Sequence, residues 1–97
     1  MLVALTAFDL RIPLAGSLKE KRRVVKSLTA GLRQRFNVAV AEVDHQDLWR
    51  RATLAVSAVG GEGYQIKKVM HEVERYLDRQ PEIEVISSHT SLHGHDD

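Results

Sequence analysis

Two stretches of this chain, residues 17–36 and 62–79, repeat their apolar side chains three, four or seven positions apart, while the segments around them alternate at a period of two. Helical and strand patterns interleaved in this order admit few architectures. In the first stretch, SLKEKRRVVKSLTAGLRQRF, the residues Leu18, Val25, Leu28, Leu32 and Phe36 form one stripe. Ser17 followed by Glu20 reads as a capping box, with the serine oxygen and the glutamate carboxylate each accepting from a backbone N–H of the first turn. In the second stretch the stripe is Ile66, Val69, Met70, Val73, Tyr76 and Leu77; Gly60-Gly61 breaks the chain before it and Pro81 ends it.

The strand patterns fall at Leu2–Ile12, stopped by Pro13, then at 37–44, 51–59 and 83–87. The order is strand, helix, strand, strand, helix, strand, which predicts an α+β, ferredoxin-like βαββαβ fold. Right-handed crossovers give an antiparallel sheet of order 4-1-3-2 with both helices on one face. Residues 1–92 are expected to form a single domain, and 93–97 a mobile tail. On the bare face of the sheet, Val3, Leu5 and Ala7 lie opposite the more continuous apolar set of the first strand, and a patch of this kind predicts a homodimer interface.

Charge is distributed unevenly. Residues 17–36 hold seven of the fourteen Lys and Arg but one of the thirteen acids, a net +6 that leaves the remainder at −5. At 100° per residue, Lys19, Arg22, Arg23, Lys26 and Arg33 fall within an arc of roughly 100° away from the apolar stripe. Lys21 falls near the apolar side, where its stem can lie on hydrocarbon while the ammonium reaches water. Cations in the first two turns oppose the helix dipole, which favours anions there. A phosphate brought to this helix start relieves both the crowding of charge and the unpaired N–H groups. These cations, extended by Arg50 and Arg51, are therefore candidate nucleic-acid contacts.

The absence of cysteine excludes disulfide and thiolate chemistry and fits a cytoplasmic protein. The first fourteen residues are apolar but interrupted by Asp9 and Arg11, so neither a signal peptide nor a membrane anchor is expected.

The runs SLKEKRRVVKSL and RFNVAVAEVDHQDLWRRA, with Glu42, Asp47 and Trp49 as landmarks, resemble the YlxP-like family of small bacterial proteins, a domain of unknown function. The resemblance covers essentially the whole chain and implies a ferredoxin-like fold, without an activity or catalytic residues. Genes of that family commonly neighbour those for translation initiation and ribosome-binding factors, which implies a ribosomal or RNA-linked role by association.

Other chemistries find weaker footing in the residues. An acylphosphatase-like hydrolase would have to use Arg11 and Asn37, yet the loop 12–16 lacks the repeated glycines that cradle a phosphate. Gly60-Gly61-Glu62-Gly63 lacks the spacing and the lysine of a nucleotide fingerprint. His89, His93 and His95, with Asp96 and Asp97, could offer metal ligands, but terminal ligands bind loosely and no metal or other cofactor is expected. Glu42, on the same strand face as Val38 and Val40, either points out of the sheet or needs a partner. Trp49 is expected to close the hairpin end of the core, an interface anchor being the alternative, and His71 to face solvent. RNA recognition on this topology commonly stacks bases on sheet aromatics, but strand three has none and strand one only Phe8. The sequence thus points to a cytoplasmic, non-enzymatic protein that uses the basic helix on RNA or ribosomal particles; a dimeric small-molecule-sensing module, with ligand near Pro13–Gly16, is the alternative.

Overall fold

A computed structural model describes residues 1–94. In chain order the elements are β1 (Leu2–Arg11), α1 (Leu18–Arg35), β2 (Ala39–Asp44), β3 (Arg51–Gly60), α2 (Gly63–Asp78) and β4 (Glu84–Gly94). The sheet order is β2-β3-β1-β4, with every pairing antiparallel, which is the expected order read from the other edge.

Side-chain alternation along the strands decides which face the helices cover. Ala4, Phe8 and Leu10 of β1, with Ala52, Leu54, Val56 and Ala58 of β3, are buried against Val24, Val25, Leu28 and Leu32 of α1 and Ile66, Met70, Val73 and Leu77 of α2. Those are the residues that the two helical periods bring to one side, so a single core forms between sheet and helices. The helices touch where α1 offers Gly31: a Cβ there would run into the Tyr76 hydroxyl and ring of α2. Tyr76 is held in turn by Phe36, edge-on at 6.2 Å, and by the Arg35 guanidinium 5.0 Å above its ring.

Two local details depart from expectation. The Ser17 oxygen accepts from the Glu20 N–H at 3.1 Å as a cap should, but the Glu20 carboxylate reaches one residue further back and accepts from the Gly16 N–H at 2.7 Å. The last strand is longer than the expected 83–87: past a register shift opposite Asp9 and Leu10, β4 continues to Gly94, and His93 and Gly94 pair with Val3 and Leu2. The strand therefore outruns the expected domain end by two residues, because the full length of β1 offers it ladder partners. His95, Asp96 and Asp97 lie outside the described residues.

Candidate nucleic-acid interface

The helical period that places Leu28 and Leu32 inward also places Lys21 inward, and the structure buries that lysine almost completely, at 1% exposure. Its ammonium does not reach water, contrary to the expectation that it would snorkel. It lies 2.8 Å from Glu42 Oε2 and donates to the carbonyl oxygen of His45. Among the described residues Glu42 Oε2 has no hydrogen-bond partner, and its contact with the ammonium is that of an ion pair. This resolves the inward carboxylate of β2: Glu42 needs a partner and has one. The pair clamps the start of α1 to the β2–β3 hairpin, where His45 turns the chain with φ 61°.

With Lys21 removed from the surface and Arg35 over the Tyr76 ring, the five cations of the expected arc divide into two sets. Arg23 pairs with Glu82 at 2.8 Å, and Arg33 donates to the Val40 carbonyl at 2.7 Å. Both stay exposed, but each already has an internal partner. Lys19, Arg22 and Lys26 are exposed and, among the described residues, make no ion pair. Spaced three and four residues apart, they form one ridge about 10 Å long on the helix. The five-membered arc expected from the sequence is thus narrowed to three free members.

Arg50 and Arg51 lie at the same end of the molecule as the start of α1. The Arg50 backbone carbonyl accepts from the Ile12 N–H at 2.9 Å and its Nε donates to Ala15 O at 3.1 Å, so the hairpin end is pinned to the β1–α1 loop. Arg51, half-buried, keeps a buried Nε–H without a partner among the described residues. Trp49 does not close the core. It is 51% exposed, beside Leu48 at 49%.

A family model described as a protein of unknown function (DUF503) matches residues 3–90. The chain belongs to the DUF503 family. Similar to it is a protein of Bacillus subtilis (strain 168) described as uncharacterized protein YlxP, 40% identical over 70 residues that cover 72% of this chain and 76% of that relative. The DUF503 span takes in the whole of α1 and the β2–β3 hairpin, and it stops short of His93.

On this DUF503 fold the acylphosphatase candidates do not meet. Arg11 pairs with Glu84 at 3.2 Å. Ala39 is level with Ser57, which is level with Leu5, so Asn37 lies near the start of β1. Arg11 is at the far end of that strand, about 25 Å away at ~3.3 Å per residue. Val3, Leu5 and Ala7 share the sheet face away from the helices and are half-buried or exposed. His89 and His93 are brought to that face on β4, opposite Ala7 and Val3. His71 is exposed on α2, as expected. No helix among the described residues is long and apolar enough to cross a membrane.

The polar end of the open face holds one organised carboxylate that sequence reading passed over. Asp9 accepts from the Thr53 hydroxyl at 2.7 Å and from the Ser87 hydroxyl at 3.3 Å, three strands contributing one residue each. The Thr53 hydrogen bond, more than the Ser87 bond or the Arg51 charge, holds the Asp9 carboxyl below its ordinary 3.8, against the opposing effect of burial. Because the folded pKa is the lower one, the stability Asp9 lends is complete well above 3.8 and lost as pH falls through the folded value. Thr53→Val is expected to move the Asp9 titration up toward 3.8 and to flatten the acid limb of stability, which NMR titration and acid melts would read. At neutral pH the cost is about 1 kcal/mol. An unchanged Asp9 midpoint would contradict this arrangement.

Proposed function

We propose that this DUF503 protein is a non-enzymatic RNA-binding protein that engages structured RNA, ribosomal RNA foremost, through Lys19, Arg22 and Lys26 of α1. One observation carries the reading: these three cations stand exposed and, among the described residues, without carboxylate partners, on a helix of net +6 set against a remainder of net −5. A chain selected only for solubility has no need to separate its charges in this way. Arg23 and Arg33 add to the field. Being solvent-exposed, the Arg23 ion pair with Glu82 is screened and can exchange its carboxylate for a phosphate. Contacts of this kind neutralise phosphates without reading sequence, so they supply affinity and orientation.

The test is filter binding of ribosomal RNA across a salt series. Three phosphate contacts predict that log K falls against log salt with a slope of about −2 to −3. Binding that is absent at low salt, or that salt leaves unchanged, would overturn the reading.

The small-molecule alternative has one observation in its favour, a groove of about 480 Å³ between Ile12, Leu14, Ala15, Val24 and Pro81. Of its charged members, Glu20 accepts from the Gly16 N–H and Arg23 is in an exposed pair with Glu82. Thermal shifts against amino acids and nucleotides test it: stabilisation that grows with ligand concentration would favour this reading over RNA.

A further inference from the structure

We infer that Trp49 is a stacking platform for an unpaired RNA base, with Arg50 and Arg51 beside it as phosphate partners; this rests on the RNA reading above and extends it from the helix to the hairpin. A tryptophan at 51% exposure forgoes much of the burial that its large apolar ring would gain in a core. Its position is not slack, however. The hairpin is fixed on both sides of it: the Lys21 ammonium bonds to the His45 carbonyl, Leu48 N–H to His45 O at 3.1 Å, and Arg50 to Ala15 and Ile12. An exposed indole on a pinned turn presents a rigid apolar face at little cost in conformational freedom.

The ring lines an open cavity of about 540 Å³ together with Asp47, Leu48, Arg50 and Arg51. Two guanidiniums against one carboxylate give that cavity a positive rim. Among the described residues Arg50 spends only Nε on the protein and Arg51 makes no ion pair, so the terminal guanidinium nitrogens of both remain for a ligand, the Arg51 Nε–H itself being buried. A flat aromatic face flanked by planar cations suits a nucleobase with its phosphates, since every base has a π face and every nucleotide an anion. The same hydrogen bonds that pin the hairpin join it to the start of α1, where Lys19 and Arg22 stand. The two sites therefore belong to one end of the molecule: α1 supplies charge, and the hairpin distinguishes unpaired from paired RNA. The sheet aromatics that commonly perform stacking on this topology are missing from β3, and Phe8 of β1 is buried among the core residues at 1% exposure.

Because Trp49 is the sole tryptophan, its emission reports this position alone. The experiment titrates the full chain with a single-stranded 12-mer oligoribonucleotide, with an RNA duplex of the same length, and with heparin, a polyanion without bases. Single-stranded RNA is expected to quench Trp49 emission, whereas duplex and heparin bind without quenching. Trp49→Ala is expected to weaken single-strand binding by about 5- to 150-fold and Trp49→Phe by much less, with duplex affinity unchanged in both. As an exposed residue, Trp49 can be replaced without unfolding the chain, which circular dichroism checks. If RNA binds with the expected salt dependence but emission does not change and Trp49→Ala binds single strands normally, the stacking role is overturned while the helix reading stands. If no RNA binds at low salt, both fall. An emission change that depends on protein concentration alone would place a protein contact on the ring and would equally overturn the assignment.

Discussion

Replacing Glu42 with alanine is expected to lower the unfolding free energy by about 3 kcal/mol, a shift in melting temperature on the order of 15 °C for a domain of this size. The magnitude follows from what the substitution leaves behind. Lys21 is 1% exposed, and without Glu42 its ammonium keeps only the His45 carbonyl as a partner. An ammonium held away from water with its counter-charge deleted costs far more than the intact pair contributes, because desolvation is then uncompensated. The double replacement Lys21→Met/Glu42→Leu removes both charges and fills a similar volume, so it is expected to recover most of the loss. Urea melts of the two single variants and the double variant measure the coupling. A Glu42→Ala variant within about 0.5 kcal/mol of the parent would mean that the ammonium finds water, and that the pair does not hold the hairpin to α1.

The second large effect concerns binding. The triple replacement Lys19→Glu/Arg22→Glu/Lys26→Glu is expected to reduce affinity for structured RNA by roughly a hundredfold or more at low salt, since each attraction to phosphate becomes a repulsion. All three side chains are exposed and make no ion pair among the described residues, so the described fold has no stake in their charge. Arg33→Gln is the matched control: its guanidinium already bonds to the Val40 carbonyl, and its loss is expected to weaken binding several-fold at most. Equal losses in the triple variant and the Arg33 control would point to a diffuse field in place of a defined ridge.

The architecture was legible because the two helical periods, Pro13, Pro81 and Gly60-Gly61 all punctuate the chain where the elements change. Connection handedness then left little choice of sheet order. The buried ion pair could also have been found. On a helical wheel Lys21 lies amid Leu18, Val25, Leu28 and Leu32, and Glu42 shares the inward face of β2 with Val40. Two opposite charges, each on an inward face, predict each other, but treating them one at a time sent the lysine to solvent. Trp49 misled for a different reason. Hydrophobicity sends an indole inward, but whether a hairpin residue has a core to enter depends on how far the helices extend over it, which is a tertiary fact. The partners of Arg23 and Arg33 were likewise invisible, since Glu82 is 59 residues away in sequence and the Val40 carbonyl is a backbone group. The Asp9 cluster gathers one residue each from β1, β3 and β4, which only strand register brings together.

Whether this protein works through a free cationic ridge on α1 is tested most directly by comparing the salt slope of RNA binding in the parent and in the Lys19/Arg22/Lys26 triple-glutamate variant. The expected result is a slope that is shallower in the variant by about 2 to 3, as three counterion-releasing contacts disappear. Parallel slopes in the two proteins would place the phosphate contacts elsewhere and contradict the role assigned to this helix.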